Sequence, residues 1–113
     1  DGRTPLLRAA GMGHVEVVRC LVEAGADKDK ARTDGGATPL FNAAAEGHVE
    51  VVRCLVEAGA DMDKALTNHG ATPLFMAALN GHTEVVRCLV EAGADKDKAR
   101  TDDGTTPLFW AAQ

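Results

Sequence analysis

The twelve residues EVVRCLVEAGAD occur three times without a change, at Glu16–Asp27, Glu50–Asp61 and Glu84–Asp95. The copies start 34 residues apart. Self-similarity at a period of about 20–50 residues belongs to stacked arrays of one supersecondary unit, so it sets the architecture before any local detail. Within the first copy Val17, Val18, Leu21 and Val22 recur at helical spacing and are expected to form one buried stripe. Glu16, Arg19 and Glu23 lie three and four apart on the other side, where they support one another in solvent. Gly25 stops the segment, which predicts a helix over 15–24.

Upstream of each twelve-residue run stands a second frame: TPLLRAA at Thr4–Ala10, TPLFNAA at Thr38–Ala44 and TPLFMAA at Thr72–Ala78. It opens a fourth time as TPLFWAAQ, Thr106–Gln113. The Thr hydroxyl can accept from an orphaned backbone N–H, and Pro at the first helical position has no N–H to lose. A first helix therefore runs from Pro5 to about Met12, and Gly13 reverses the chain. The remaining stretch, ADKDKARTDGGA and its variants, carries Asp-Gly turn signals, with Gly36, Gly70 and Gly104 at one fixed position. It reads as an extended, hairpin-like loop. Residues 1–34, 35–68 and 69–102 are three full units, and 103–113 begins a fourth. Such short helix pairs cannot bury their apolar faces alone, so each must stack on the next, giving one domain over 1–113.

The totals agree with this reading and exclude several classes. A chain of 113 residues with 45% hydrophobic and 26% charged residues is that of an ordinary globular domain. At 4% aromatic, its core is aliphatic and Ala-rich, which suits closely approaching helices. No apolar run nears the roughly 18 residues of a membrane span, and no charged-then-apolar leader resembles a signal peptide. The net charge is −5, and Lys and Arg alternate with Asp and Glu, so the cationic footprint of a nucleic-acid binder is missing. Three evenly spaced cysteines, Cys20, Cys54 and Cys88, point to a reducing, intracellular setting, cytoplasmic or nuclear, because secreted scaffolds carry even and denser sets.

The pattern G-x-TPL-x-x-AA-x-x-GH-x-EVV-x-x-L-x-EAGAD closely resembles the ankyrin repeat, and it covers the whole chain. The resemblance implies an all-α solenoid: antiparallel helix-turn-helix units in a stack, joined by hairpin-like loops projecting at right angles. It also implies a module that binds other proteins through its concave surface and has no chemistry of its own. There are two departures. The family's TPLH histidine, which normally links neighbouring repeats through a hydrogen-bond network, is replaced by Leu7, Phe41, Phe75 and Phe109; an apolar ladder is expected instead. Each unit is also one residue longer than the commonest form, most simply in the DKDKARTD loop.

Residues that would suggest chemistry fail on spacing. His14, His48 and His82 repeat once per unit, but stacked helices sit about 8–10 Å apart and metal–nitrogen bonds are near 2 Å, so they are expected to stabilise the turn. The cysteines would lie beyond the roughly 7 Å limit for a disulfide and should pack as small hydrophobes between second helices. Asp27-Lys28-Asp29-Lys30 begins like a calcium loop, but Ala31, Arg32 and Thr38 occupy later ligand or glycine positions. It reads as a solvated loop with compensating charges. No phosphate loop or zinc signature is present. The expectation is a non-enzyme without metal or cofactor.

The copies disagree at particular places. At the hairpin tip the varying residues include Arg3, Ala37, His69, Ala71, Asp103 and Thr105. On the outward face of the first helix the first two copies carry Arg8 and Met12, then Asn42 and Glu46. The third carries Met76, Leu79 and Asn80, and Trp110 opens the fourth. The resemblance puts both sets on the concave surface, and Trp and Arg are frequent interface anchors. They are therefore the candidate partner-binding residues, with Met76, Leu79 and Trp110 as an apolar cluster toward the C-terminal half. Trp110 either anchors a partner or shields the end of the stack. The main expectation is a protein-binding module, monomeric or part of a longer array, contacting neither nucleic acid nor membrane. The alternative is a structural or engineered consensus-like scaffold with no partner of its own.

Overall fold

The computed structural model describes residues 3–67 and 70–95. Among them are six helices and no strand. α1 (Pro5–Met12) and α2 (Val15–Glu23) form the first unit, α3 (Pro39–Glu46) and α4 (Val49–Glu57) the second, and α5 (Pro73–Leu79) and α6 (Thr83–Glu91) the third. The two helices of each unit pack together, first helices stack on first helices, and second helices on second. The all-α repeat architecture read from the sequence is the one observed.

Local chemistry starts and stops each helix. The Oγ1 atoms of Thr4, Thr38 and Thr72 accept from the N–H groups of Leu7, Phe41 and Phe75, each at 3.1 Å, a cap worth about 1 kcal/mol. At the other end of α1, Gly13 adopts φ 78°. Its N–H donates to the Ala10 carbonyl, and the His14 N–H donates to the Ala9 carbonyl, a Schellman closure that satisfies carbonyls the helix leaves open. α2 closes the same way through Gly25 and Ala26 onto Val22 and Leu21. Ala24 is the cap residue, so the second helix is one residue shorter than predicted.

The frame residues build the core. Leu6, Ala9 and Ala10 of α1, Leu40, Ala43 and Ala44 of α3, and Leu74 and Ala77 of α5 join Val18, Val51, Val52, Leu55, Val85 and Leu89 in one buried cluster. Alanines at the contacts let the first helices approach closely. The predicted four-residue stripe needs one correction. Val17 is 49% exposed, although its equivalents Val51 and Val85 are each 1% exposed. Val51 and Val85 belong to the core cluster shared by the stacked units, and Val17 does not. Cys20 is likewise exposed, whereas Cys54 and Cys88 pack against the core as expected.

A second, smaller cluster lies beside the loops: Phe41, Ala71 and Phe75, with Ala37, Ala45, Leu66 and Met76 packed on it. Here the residues that replace the family's histidine form the expected apolar contact between units. The polar link between units comes from another histidine. His48 Nε2 donates to the Gly11 carbonyl at 3.1 Å, and His82 Nε2 donates to the Ala45 carbonyl at 3.0 Å. A carbonyl can only accept, so the proton is on Nε2. These histidines therefore tie a unit to the one before it and do not simply brace their own turn. The DKDK loop is likewise more than a solvated strip. Asp29 Oδ1 accepts the Asp61 N–H at 2.9 Å, and Asp63 Oδ1 accepts the Asp95 N–H at 2.8 Å, so half-buried carboxylates also bridge successive units.

Candidate functional site

Each loop reverses through a pair of backbone bonds. The Arg32 N–H donates to the Ala37 carbonyl and the Gly36 N–H to the Arg32 carbonyl, with Leu66, Ala71 and Gly70 repeating the pattern. The Thr67 N–H donates to the Gly35 carbonyl, joining one hairpin to the next. The tips thus line up beside the first helices. Because the Leu-Ala-Ala side of each first helix is buried, the positions three and four residues apart on its other side turn outward together.

Most of the described candidates lie there. Arg3, Arg8, Glu46 and Asn80 are exposed, and Ala37, Asn42 and Met76 are half-buried. Met12 is 61% exposed and Leu79 is 40% exposed. The apolar surface is therefore not confined to the C-terminal half, since its most exposed member among the described residues belongs to the first unit. Met76 is drawn against the Phe41–Phe75 cluster. Asn80 donates from Nδ2 to the Ala45 carbonyl at 3.0 Å, the same oxygen that takes His82. Ala71 has to be withdrawn as a contact residue: it is 0% exposed, buried in one apolar cluster with Phe41 and Phe75. His69, Asp103, Thr105 and Trp110 lie outside the described residues.

Between the first and second units this face opens into a cavity of about 240 Å³, lined by Arg3, Leu7, Arg8, Gly11, Met12, Arg32 and Asn42. Arg32 was missed as a site residue in the sequence. The signal was its replacement by Leu66 in the second copy, a change of charge that reads equally well as loop divergence. Arg32 donates to Asp34 Oδ2 at 2.6 Å. That hydrogen bond, helped by the charges of Arg32 and Arg3, holds the Asp34 carboxyl below its ordinary pKa. Arg32 Nε is buried and has no hydrogen-bond partner.

The thiols behave differently from the carboxylate. Burial pushes Cys54 and Cys88 above the ordinary thiol pKa, and surrounding glutamates act in the same direction. Such a thiol holds little thiolate near neutral pH and is a poor nucleophile. Among the described residues no three His, Cys, Asp or Glu side chains are grouped to hold a metal ion. No described helix is long and apolar enough to cross a membrane.

Compared with known proteins, the chain matches the family model described as ankyrin repeats (3 copies), over residues 1–65 and again over 60–113. No curated protein matches it.

Proposed function

Because the chain belongs to the ankyrin repeat family, we propose that it is a non-enzymatic module that binds a partner protein through its concave face. Ankyrin repeats are generally protein–protein interaction modules, and the family is typically non-enzymatic. The binding surface in this proposal comprises the outward positions of the first helices and the hairpin tips, within one domain of three units and the start of a fourth. The observation that carries it is where the copies differ. Residues shared by all units, such as Leu6, Leu40 and Leu74, are buried, while Arg8, Met12, Glu46, Leu79 and Asn80 are exposed and change from unit to unit. Stacking fixes the first set and leaves the second to carry a different contact chemistry in each unit.

The test is a pull-down from cell extract with the wild-type chain and a variant carrying Met76→Glu and Leu79→Glu. Circular dichroism would first establish that both are folded. The wild type is expected to retain a defined protein that the variant loses. Identical captures by the two chains would remove the first-helix face from the binding site. An empty wild-type capture would favour the scaffold reading, in which the near-identical units only stack.

A further inference from the structure

We propose that the cavity between the first and second units is a seat for an acidic side chain of a bound peptide, a Glu or Asp flanked by an apolar residue. This rests on the protein-binding reading and adds the chemistry of the partner.

Charge is the first reason. Arg3, Arg8 and Arg32 line the cavity, and among the described residues no carboxylate does. Asp34 neutralises part of Arg32 from the side, and Arg8 adds a further cation to the same lining in a chain whose total charge is −5. None of the ion pairs among the described residues involves Arg8. Arg32 already holds a carboxylate in Asp34, yet its buried Nε still has no acceptor. Planar guanidinium groups match carboxylates in two-point geometry.

The second reason is internal comparison. At the junction of the second and third units, Arg3, Leu7, Gly11, Arg32 and Asn42 are replaced by Ala37, Phe41, Ala45, Leu66 and Met76. All five belong to the apolar cluster around Phe75 and Ala71. The same place in the stack is therefore filled by hydrocarbon at one junction and left open and cationic at the other. Nothing in the repeat itself requires three arginines there.

Size and lining narrow the occupant. A volume of about 240 Å³ is below the roughly 300 Å³ at which pockets for whole small molecules begin, and suits one or two side chains. Leu7 and Met12 supply an apolar wall that a peptide with alternating acidic and apolar residues would use and a bare phosphate would not. A polynucleotide needs a continuous cationic track, which this acidic chain lacks.

Fluorescence anisotropy with a labelled synthetic peptide of alternating Glu and Leu tests the proposal, against the same peptide with Gln for Glu and against oligo-dT. The variant is Arg8→Asn with Arg32→Leu, residues that the second unit itself carries as Asn42 and Leu66, so the fold should tolerate them. The acidic peptide is expected to bind at least tenfold more tightly than the Gln peptide and than oligo-dT. Its affinity should fall at least tenfold in the double variant and should weaken with added salt. Equal binding of the Gln peptide, an unchanged affinity in the variant, absence of binding, or tighter binding of oligo-dT would each overturn the proposal. If the acidic peptide fails while the pull-down succeeds, only this inference falls. If the peptide binds while the pull-down is empty, the cavity chemistry stands and the wider reading falls.

Discussion

The first junction between units and the second are built from one repeated sequence, yet they differ in kind. Both carry the same histidine clasp, His48 to Gly11 and His82 to Ala45, and both stack a Leu-Ala-Ala face. The second is closed beside the loops by Phe41, Phe75, Ala71 and Leu66, whereas the first has Leu7 and Arg32 at the corresponding places and keeps a cavity. A repeat array thus separates two duties by position. Buried positions hold the stack, and a handful of substitutions at its edge decide whether a junction is sealed or available to a ligand.

The comparison can be broken most strongly at Phe75, which is fully buried. Phe75→Ala is expected to destabilise the protein by about 3–5 kcal/mol in urea unfolding. A loss below about 1 kcal/mol, the level of surface changes, would mean that the ring does not hold the second junction.

The shared clasp gives an intermediate effect. Gly13, Gly47 and Gly81 all have φ between 75° and 79°, and alanine there costs roughly 1–2 kcal/mol of backbone strain. At Gly13 and Gly47 an added Cβ would also lie 2.7 Å from Nδ1 of His48 and His82, while at Gly81 it meets nothing within 4 Å among the described residues. Gly13→Ala and Gly47→Ala should therefore exceed Gly81→Ala by about 1 kcal/mol, the net worth of the displaced histidine hydrogen bond. Equal losses at all three sites would remove the clasp from the account.

The smallest effect is a gain. Leu7→Phe imports the second junction's residue into the first and should partly fill the cavity, raising stability by about 0.5–2 kcal/mol in thermal unfolding. A loss would show that the cavity walls cannot move to admit the ring.

Much of this was legible in the chain. Thr4, Pro5, Gly13 and Gly25 act within a few residues of themselves, so their roles follow from local backbone chemistry. What was missed depends on a neighbour. His48 reads as a turn residue because its acceptor, Gly11, is 37 residues away. Ala71 reads as a surface position because Arg3 and Ala37 vary with it; in the stack, that position passes from exposed through half-buried to buried. An alanine carries no mark that tells a member of a buried apolar cluster from an exposed helix former. Arg32 stood in a loop that looked uniformly solvated, and only the packing beside Leu7 brings it to a cavity.

EVVRCLVEAGAD separates what sequence alone decides from what the tertiary structure decides. In all three copies it forms a helix, with an i,i+3 ion pair (Arg19–Glu16, Arg53–Glu50, Arg87–Glu84) and a positive-φ glycine at the end. Those features need only atoms within the segment, so identical residues give identical helices. Burial does not repeat. Val17 is exposed where Val51 and Val85 are buried, and Val90 is exposed where Val22 and Val56 pack against the core. Burial is set by the atoms that other parts of the fold bring against each copy, and those are not written in the segment itself.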